Sequence, residues 1–282
     1  MNNFEIIKNE KYFYYDCKNE NNKGTIIFVH GFSSSYFLHS GFFIFNDFDE
    51  YDYFAMNFSG HEIDSINKTN KKKTKLNQYD VYKYVDELVQ MIEKFNFKNI
   101  ILIGHSMGGG ISLLVNQIIP NRIKKMILIS PINPTIFLSK IGLKYLFNTI
   151  NNMNHKIKEI EIDSKYLNNL KFNKLINEYL NYEIERFLYM KRKYLFLGTR
   201  LLSIKLYQTL NNLYSKVEKP TLIILGENDK VIPHKHFQRY LAKINNKNIS
   251  IQLIENSRHI CFVEQFDKYN SMVWDFIRNK NF

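Results

Sequence analysis

The sequence predicts an α/β fold, with a mostly parallel central sheet flanked by helices and a helical insertion late in the chain. Three observations carry this expectation. Unbroken apolar runs at Ile100–Ile103, Met126–Ile129 and Thr221–Leu225 have the pattern of strands buried on both faces. Amphipathic helical stretches alternate with the extended segments, as crossover connections between parallel strands require. Between Pro134 and Val217 that alternation stops. About 80 residues there carry no convincing buried strand, far more than the 2–6 residues of an ordinary αβ connection.

Taken in order, Tyr12–Cys17 and Thr25–Val29 read as strands joined by the polar turn Asn19–Gly24, and Tyr53–Phe58 reads as another strand. Residues Gln78–Phe95 form an amphipathic helix with Val81, Val85, Leu88, Val89 and Ile92 on one face. After the Ile100–Ile103 strand, the apolar positions 111, 114, 115, 118 and 119 mark a second helix. Strands at Met126–Ile129, Thr221–Leu225 and Ile249–Ile254 follow, and a helix from Glu264 to Ile277 closes the pattern. The expected organisation is a core of residues 1–133 and 218–282, with residues 134–217 as a helical cap. Within the cap, Phe137–Ile150 and Tyr179–Leu197 are crowded with aromatic and aliphatic side chains suited to an acyl-binding cavity.

Composition narrows the partners. The 282 residues suit one large α/β domain with an insertion, and a 45% hydrophobic content supports a substantial core. Cys17 and Cys261 match no zinc or redox spacing. With a polar Met1–Glu10 in place of a secretory pattern, they suggest a reducing, cytoplasmic setting. No stretch approaches the roughly 20 apolar residues that span a bilayer. The net charge of +12 is spread through a chain broadly rich in Lys and Asn. Its one dense run, Lys71-Lys72-Lys73 with Lys68 and Lys75, reads as a solvated loop, so no nucleic-acid partner is expected. Transient contact with anionic lipid head groups, through this loop or the cap, is the surface interaction such a charge suits. The oligomeric state is not legible.

The chemistry centres on Gly104-His105-Ser106-Met107-Gly108, a G-x-S-x-G pentapeptide between a buried strand and a helix. A turn this tight needs small flanking residues, and it holds a serine Oγ clear of the packed core. A serine hydroxyl is a poor nucleophile until a base takes its proton, and the base needs an acid to orient it. Both are sought at the ends of later strands, in the order Ser, acid, His. Of eight histidines, His30, His39, His61 and His155 come too early or fall in the cap, and the side chain of His105 should diverge from the serine. His259, just after the last strand and before the last helix, suits the base. His234 and His236 open a helix after Pro233, and without a carboxylate or cysteine partner they make a weak metal pair. Asp229, in the turn after Thr221–Leu225, suits the acid better than Glu227 or Glu255. The Met107 N–H following the nucleophile and the Phe32 N–H after His30-Gly31 are the expected oxyanion donors. Losing one such donor typically costs about 2.7–4 kcal/mol.

With His30-Gly31-Phe32, Gly60-His61, the pentapeptide, Gly226-Glu227-Asn228-Asp229 and His259 in this order, the chain resembles the α/β-hydrolase superfamily from Thr25 to about Ile277. It is most similar to its capped esterases, monoacylglycerol lipases and lysophospholipases. The resemblance implies an acyl-enzyme on Ser106 that water hydrolyses without metal or cofactor, and a cap that sets substrate choice. Two places depart from the family pattern. Asn57-Phe58-Ser59-Gly60-His61-Glu62 lacks the usual acid and second glycine, and Asn256-Ser257-Arg258 is bulkier than the usual small residues before the histidine. The expected activity is hydrolysis of carboxylic esters with an apolar acyl or alkyl portion. Acyltransfer, C–C hydrolysis, cofactor-free peroxidase or aminopeptidase chemistry on the same triad are the alternatives, with a non-catalytic lipid-binding protein beyond them. Epoxide and halide chemistry use an aspartate nucleophile, which Ser106 argues against.

Overall fold

A computed structural model describes residues 5–8, 11–61, 76–138, 190 and 192–279. The lysine run of residues 68–75 and most of the predicted cap, residues 139–189 and 191, lie outside the described residues.

The strands are β1 (Glu5–Lys8), β2 (Tyr12–Asp16), β3 (Thr25–Val29), β4 (Asp52–Met56), β5 (Ile100–His105), β6 (Ile123–Ile129), β7 (Thr221–Gly226) and β8 (Ile249–Ile254). They form one sheet in the order β1-β2-β4-β3-β5-β6-β7-β8, antiparallel at β1–β2 and β2–β4 and parallel from β4 to β8. The apolar runs become the central strands because both of their faces are covered. Alternate side chains divide the core in two. Ile27, Val29, Leu102, Leu128 and Ile223 face one layer, and Ile26, Phe28, Ile103, Ile129 and Ile224 face the other.

The first layer holds α2 (Val81–Lys94), α3 (Met107–Ile118), α4 (Ile204–Lys216) and α5 (His234–Ile244). The second holds the short α1 (Ser40–Ile44), α6 (Cys261–Glu264) and α7 (Phe266–Arg278). Asp80 caps α2 by accepting from the Tyr82 N–H at 2.9 Å, and Ser203 caps α4 through the Leu206 N–H at 3.2 Å. Of the insertion, the described residues are helical: a 3-10 turn at Pro134–Leu138, a helix over residues 192–201, and α4. Tyr194 and Tyr214 pin this part to the core by donating to the Gly60 and Ile132 carbonyls at 3.2 and 3.0 Å.

Two differences from expectation have physical causes. The polar segment before Lys8 pairs through its backbone as β1, a hydrogen-bonded edge that hydrophobic periodicity does not reveal. The last helix is two, because Gln265 leaves helical geometry at φ −137°, ψ 59° between α6 and α7.

Two buried polar groups tie α7 to the rest. The Lys125 ammonium, on β6, donates to the Phe276 and Asn279 carbonyls at 2.7 and 2.6 Å, occupying acceptors that a helix end leaves open. His39 is 1% exposed, stacks on Phe28 with centroids 4.1 Å apart, and bridges the Tyr53 and Tyr269 hydroxyls at 2.9 and 2.6 Å. Burial holds its imidazole well below the ordinary histidine value. As pH falls below about 6.5, the unfolded chain therefore takes up a proton that the folded chain refuses. Stability is lost in that window at up to about 1.4 kcal/mol per pH unit from this group. Chemical denaturation between pH 7 and 5 should show a shallower acid loss for His39→Gln than for the native chain. Equal slopes would assign the acid sensitivity elsewhere.

Candidate active site

Ser106 stands between β5 and α3 at φ 53°, ψ −115°, outside the regions where a side-chain-bearing residue rests comfortably. Three backbone bonds hold it there. Its N–H donates to the Ile129 carbonyl at 2.9 Å, and its carbonyl accepts from Gly109 and Ile132 at 3.0 and 2.9 Å. Close packing completes the turn. A Cβ on Gly108 would lie 2.0 Å from the Val29 oxygen and 2.6 Å from the His30 oxygen, so α3 can approach β3 only through glycine. Likewise a Cβ on Gly31 would meet His105 Nδ1 at 2.9 Å and Ser106 Cβ at 3.2 Å.

The residues expected as acid and base are in direct contact. Asp229 is 4% exposed, and its Oδ1 accepts from the Val231 and Ile232 N–H groups at 2.8 and 2.9 Å. Its Oδ2 lies 2.9 Å from His259 Nδ1. A carboxylate can only accept here, so Nδ1 carries a proton and donates it to this bond. His105, on the strand that ends at Ser106, donates from Nε2 to the His259 carbonyl at 3.0 Å, and the two rings lie 4.9 Å apart. The turn at Ser106 and the loop at His259 are thereby joined through one side chain. Its divergence from Ser106 serves that join.

The loop after β3 is braced by a residue that sequence reasoning passed over. His30 donates from Nδ1 to the Gly31 carbonyl at 2.8 Å, and its Nε2 accepts from the Phe58 N–H at 3.2 Å. One neutral imidazole thus ties the His-Gly-Phe turn to the loop after β4. That second loop lacks the expected acid and second glycine, and other groups hold it. Asn57 Oδ1 accepts from the Tyr36 N–H at 2.9 Å, and Glu87 Oε2 on α2 accepts from the Ser59 N–H at 2.9 Å. Gly60, at φ 85°, lies against the Tyr79 ring. Phe32 follows the braced turn, and Met107 is the first residue of α3, whose leading N–H groups have no partner within the helix.

Ser106 opens into an apolar pocket. Phe32, Ile132 and Ile232 line it from the core, while Leu201, Leu206 and Tyr207 line it from the insertion. The predicted stretches Phe137–Ile150 and Tyr179–Leu197 fall largely outside the described residues. His234 and His236 start α5 as predicted, and His234 Nδ1 pairs with Gln238 Oε1 at 3.2 Å. Among the described residues, no group of three or more His, Cys, Asp or Glu side chains is arranged to hold a metal.

The family profile of the alpha/beta hydrolase fold matches residues 24–266. The chain belongs to that family. This hydrolase is 34% identical over 249 residues to a Mycoplasma genitalium protein named "Putative esterase/lipase 2", covering 86% of this chain and 84% of that one. A second protein of that organism, "Putative esterase/lipase 3", is 27% identical over 285 residues, covering 99% and 95%. In three dimensions the hydrolase is similar to an esterase from Exiguobacterium antarcticum, with a TM-score of 0.69, 16% identity, and coverage of 99% and 100%. Gly108→Ala should destabilise the hydrolase by about 3 kcal/mol, because the added methyl meets backbone oxygens that cannot turn away. The urea midpoint measures this, and an unchanged midpoint would mean the elbow yields.

Proposed function

We propose that this protein is a serine hydrolase that cleaves carboxylic esters with an apolar acyl or alkyl portion. The observation that carries the reading is the contact between Asp229 and His259 in a loop bonded to the strand that presents Ser106. The esterase/lipase names of the relatives support the same class. So does the apolar pocket at Ser106.

The chemistry follows from the proton positions. His259 Nε2 takes the Ser106 hydroxyl proton as Oγ attacks the ester carbonyl. Asp229, which accepts from two backbone N–H donors and the Nδ1–H, stabilises the imidazolium without taking its proton. The Phe32 and Met107 N–H groups receive the oxyanion. Both lie on braced backbone, so they need little reorientation as charge develops. Collapse of the tetrahedral intermediate expels the alcohol, which leaves with the proton from Nε2. Water then enters, gives a proton to Nε2, and releases the acid from the acyl-enzyme by the reverse sequence.

The reading extends to the insertion. Residues 134–217 act as a cap that selects substrate, with Leu201, Leu206 and Tyr207 against the acyl or alkyl chain. A monoacylglycerol or lysophospholipid suits such a pocket. No described helix is long and apolar enough to cross a membrane, so a lipid substrate would be met from its aqueous side or at a surface.

A fluorophosphonate probe should label the native chain, and Ser106→Ala should abolish labelling. Ester hydrolysis should fall about 10⁴-fold or more in kcat/KM for Ser106→Ala and His259→Ala, and about 10⁴-fold for Asp229→Asn. Equal labelling of Ser106→Ala would sink the nucleophile assignment. Across p-nitrophenyl esters of increasing acyl length, kcat/KM should rise beyond acetate, and Leu206→Trp should shift the optimum to shorter chains. A flat series in both proteins would remove the cap from substrate selection.

A further inference from the structure

Arg258, one of the bulky residues before the base, has a specific partner. Its backbone N–H donates to Glu264 Oε2 at 2.5 Å, and its Nε lies 3.3 Å from Glu264 Oε1. Glu264 ends α6 and its side chain is 7% exposed, whereas the Arg258 side chain is 32% exposed. The opposite side of this loop is stitched to the acid loop. The Asn228 N–H donates to the Ser257 carbonyl at 2.8 Å, the Asn256 N–H donates to Glu227 Oε2 at 3.1 Å, and Ser257 Oγ donates to the Ile254 carbonyl at 2.8 Å. The backbone leading into His259 is therefore held from two directions, and Glu264 supplies one of them.

We propose that Glu264 is a positioning residue for His259, fixing the amide that precedes it and adding a second negative charge to that of Asp229. The proposal rests on His259 being the base. Fixing an amide needs only a neutral acceptor, yet this position carries a buried carboxyl, which costs desolvation unless its charge is used. Burial pushes the Glu264 carboxyl above the usual range, while the Arg258 N–H, its guanidinium and the charge on His259 pull it back. The ionised form is thus coupled to the same imidazole that takes the serine proton.

The groups around the pair are accounted for. Glu264 pairs with Arg258 and lies within electrostatic reach of His259 and of the buried Cys261 thiol. His259 faces Asp229 from the loop after β7 and His105 from β5. The 3-10 turn Tyr36–His39 packs against α6, and its His39 is bound to two tyrosine hydroxyls. Phe262 lies between, with its ring 4.9 Å from His105 and 5.7 Å from His39.

The test is the pH profile of kcat/KM on a short p-nitrophenyl ester for the native enzyme, Glu264→Gln and Arg258→Gln. The glutamine at 264 can still accept the Arg258 N–H but has lost the charge. Its imidazolium is less stabilised, so the acid limb should move to lower pH by about half a unit, with kcat reduced and KM unchanged. Arg258→Gln removes a positive charge and should move the limb to higher pH by a similar amount. A purely structural bond would shift neither limb, whatever it did to Tm. If Glu264→Gln does not fold, the half-exposed Arg258 position still decides the question, and an unmoved limb there overturns the proposal. A native enzyme with neither fluorophosphonate labelling nor an acid limb would instead remove His259 as base, and this inference with it.

Discussion

Ser106 is held at φ 53°, ψ −115° by three backbone hydrogen bonds and by a glycine pressed against the Val29 and His30 oxygens at the end of the neighbouring β3. The remainder of the site is arranged around that turn. α3 reaches β3 because Gly108 has no side chain to separate them, and the same approach sets the β3 loop, with Phe32, beside the nucleophile. The parallel order β3-β5-β6-β7-β8 then brings the ends of β7 and β8 to the same edge of the sheet, where Asp229 and His259 meet. Strain at one residue is tolerated because the flanking elements leave it nowhere else to go.

Histidines do much of the holding, each in a different way. His30 ties two loops through both ring nitrogens, His105 ties the elbow strand to the base loop, and His39 ties the second layer to the sheet through two tyrosines. None of these three needs a charge to make its bonds, and burial disfavours one at His39. His259 differs in bonding to a carboxylate, that of Asp229, with Glu264 at the end of α6 within electrostatic reach. Sequence alone offers eight similar residues, and only their neighbours separate braces from a base.

Much of the fold was legible because burial leaves a periodic trace. Thr25–Val29 and Ile249–Ile254 were read with the bounds they have in the structure, and the central runs were found although each extends by one to three residues. β1 was not legible, since four residues are too few to show a hydrophobic period. The break at Gln265 carries no glycine or proline to announce it. Among the candidate site residues, Ser106, Asp229 and His259 could be chosen because each follows a strand that apolar patterning marks. The bracing contacts of His30, Lys125 and Glu264 could not, because they join residues far apart in sequence or depend on a turn whose course the sequence does not specify. The loop of Asn57 to His61 is a further case. Its unusual composition is compensated by Glu87, Tyr84 and Tyr194 from other elements.

The central claim is that Ser106 becomes covalently acylated during turnover. Rapid acid quenching of the native enzyme with excess p-nitrophenyl ester, followed by peptide mass analysis, tests it directly. The account predicts a burst of p-nitrophenol and the acyl mass on the peptide that contains Ser106. Steady product release with that peptide unmodified, or the acyl group on another residue, would contradict it.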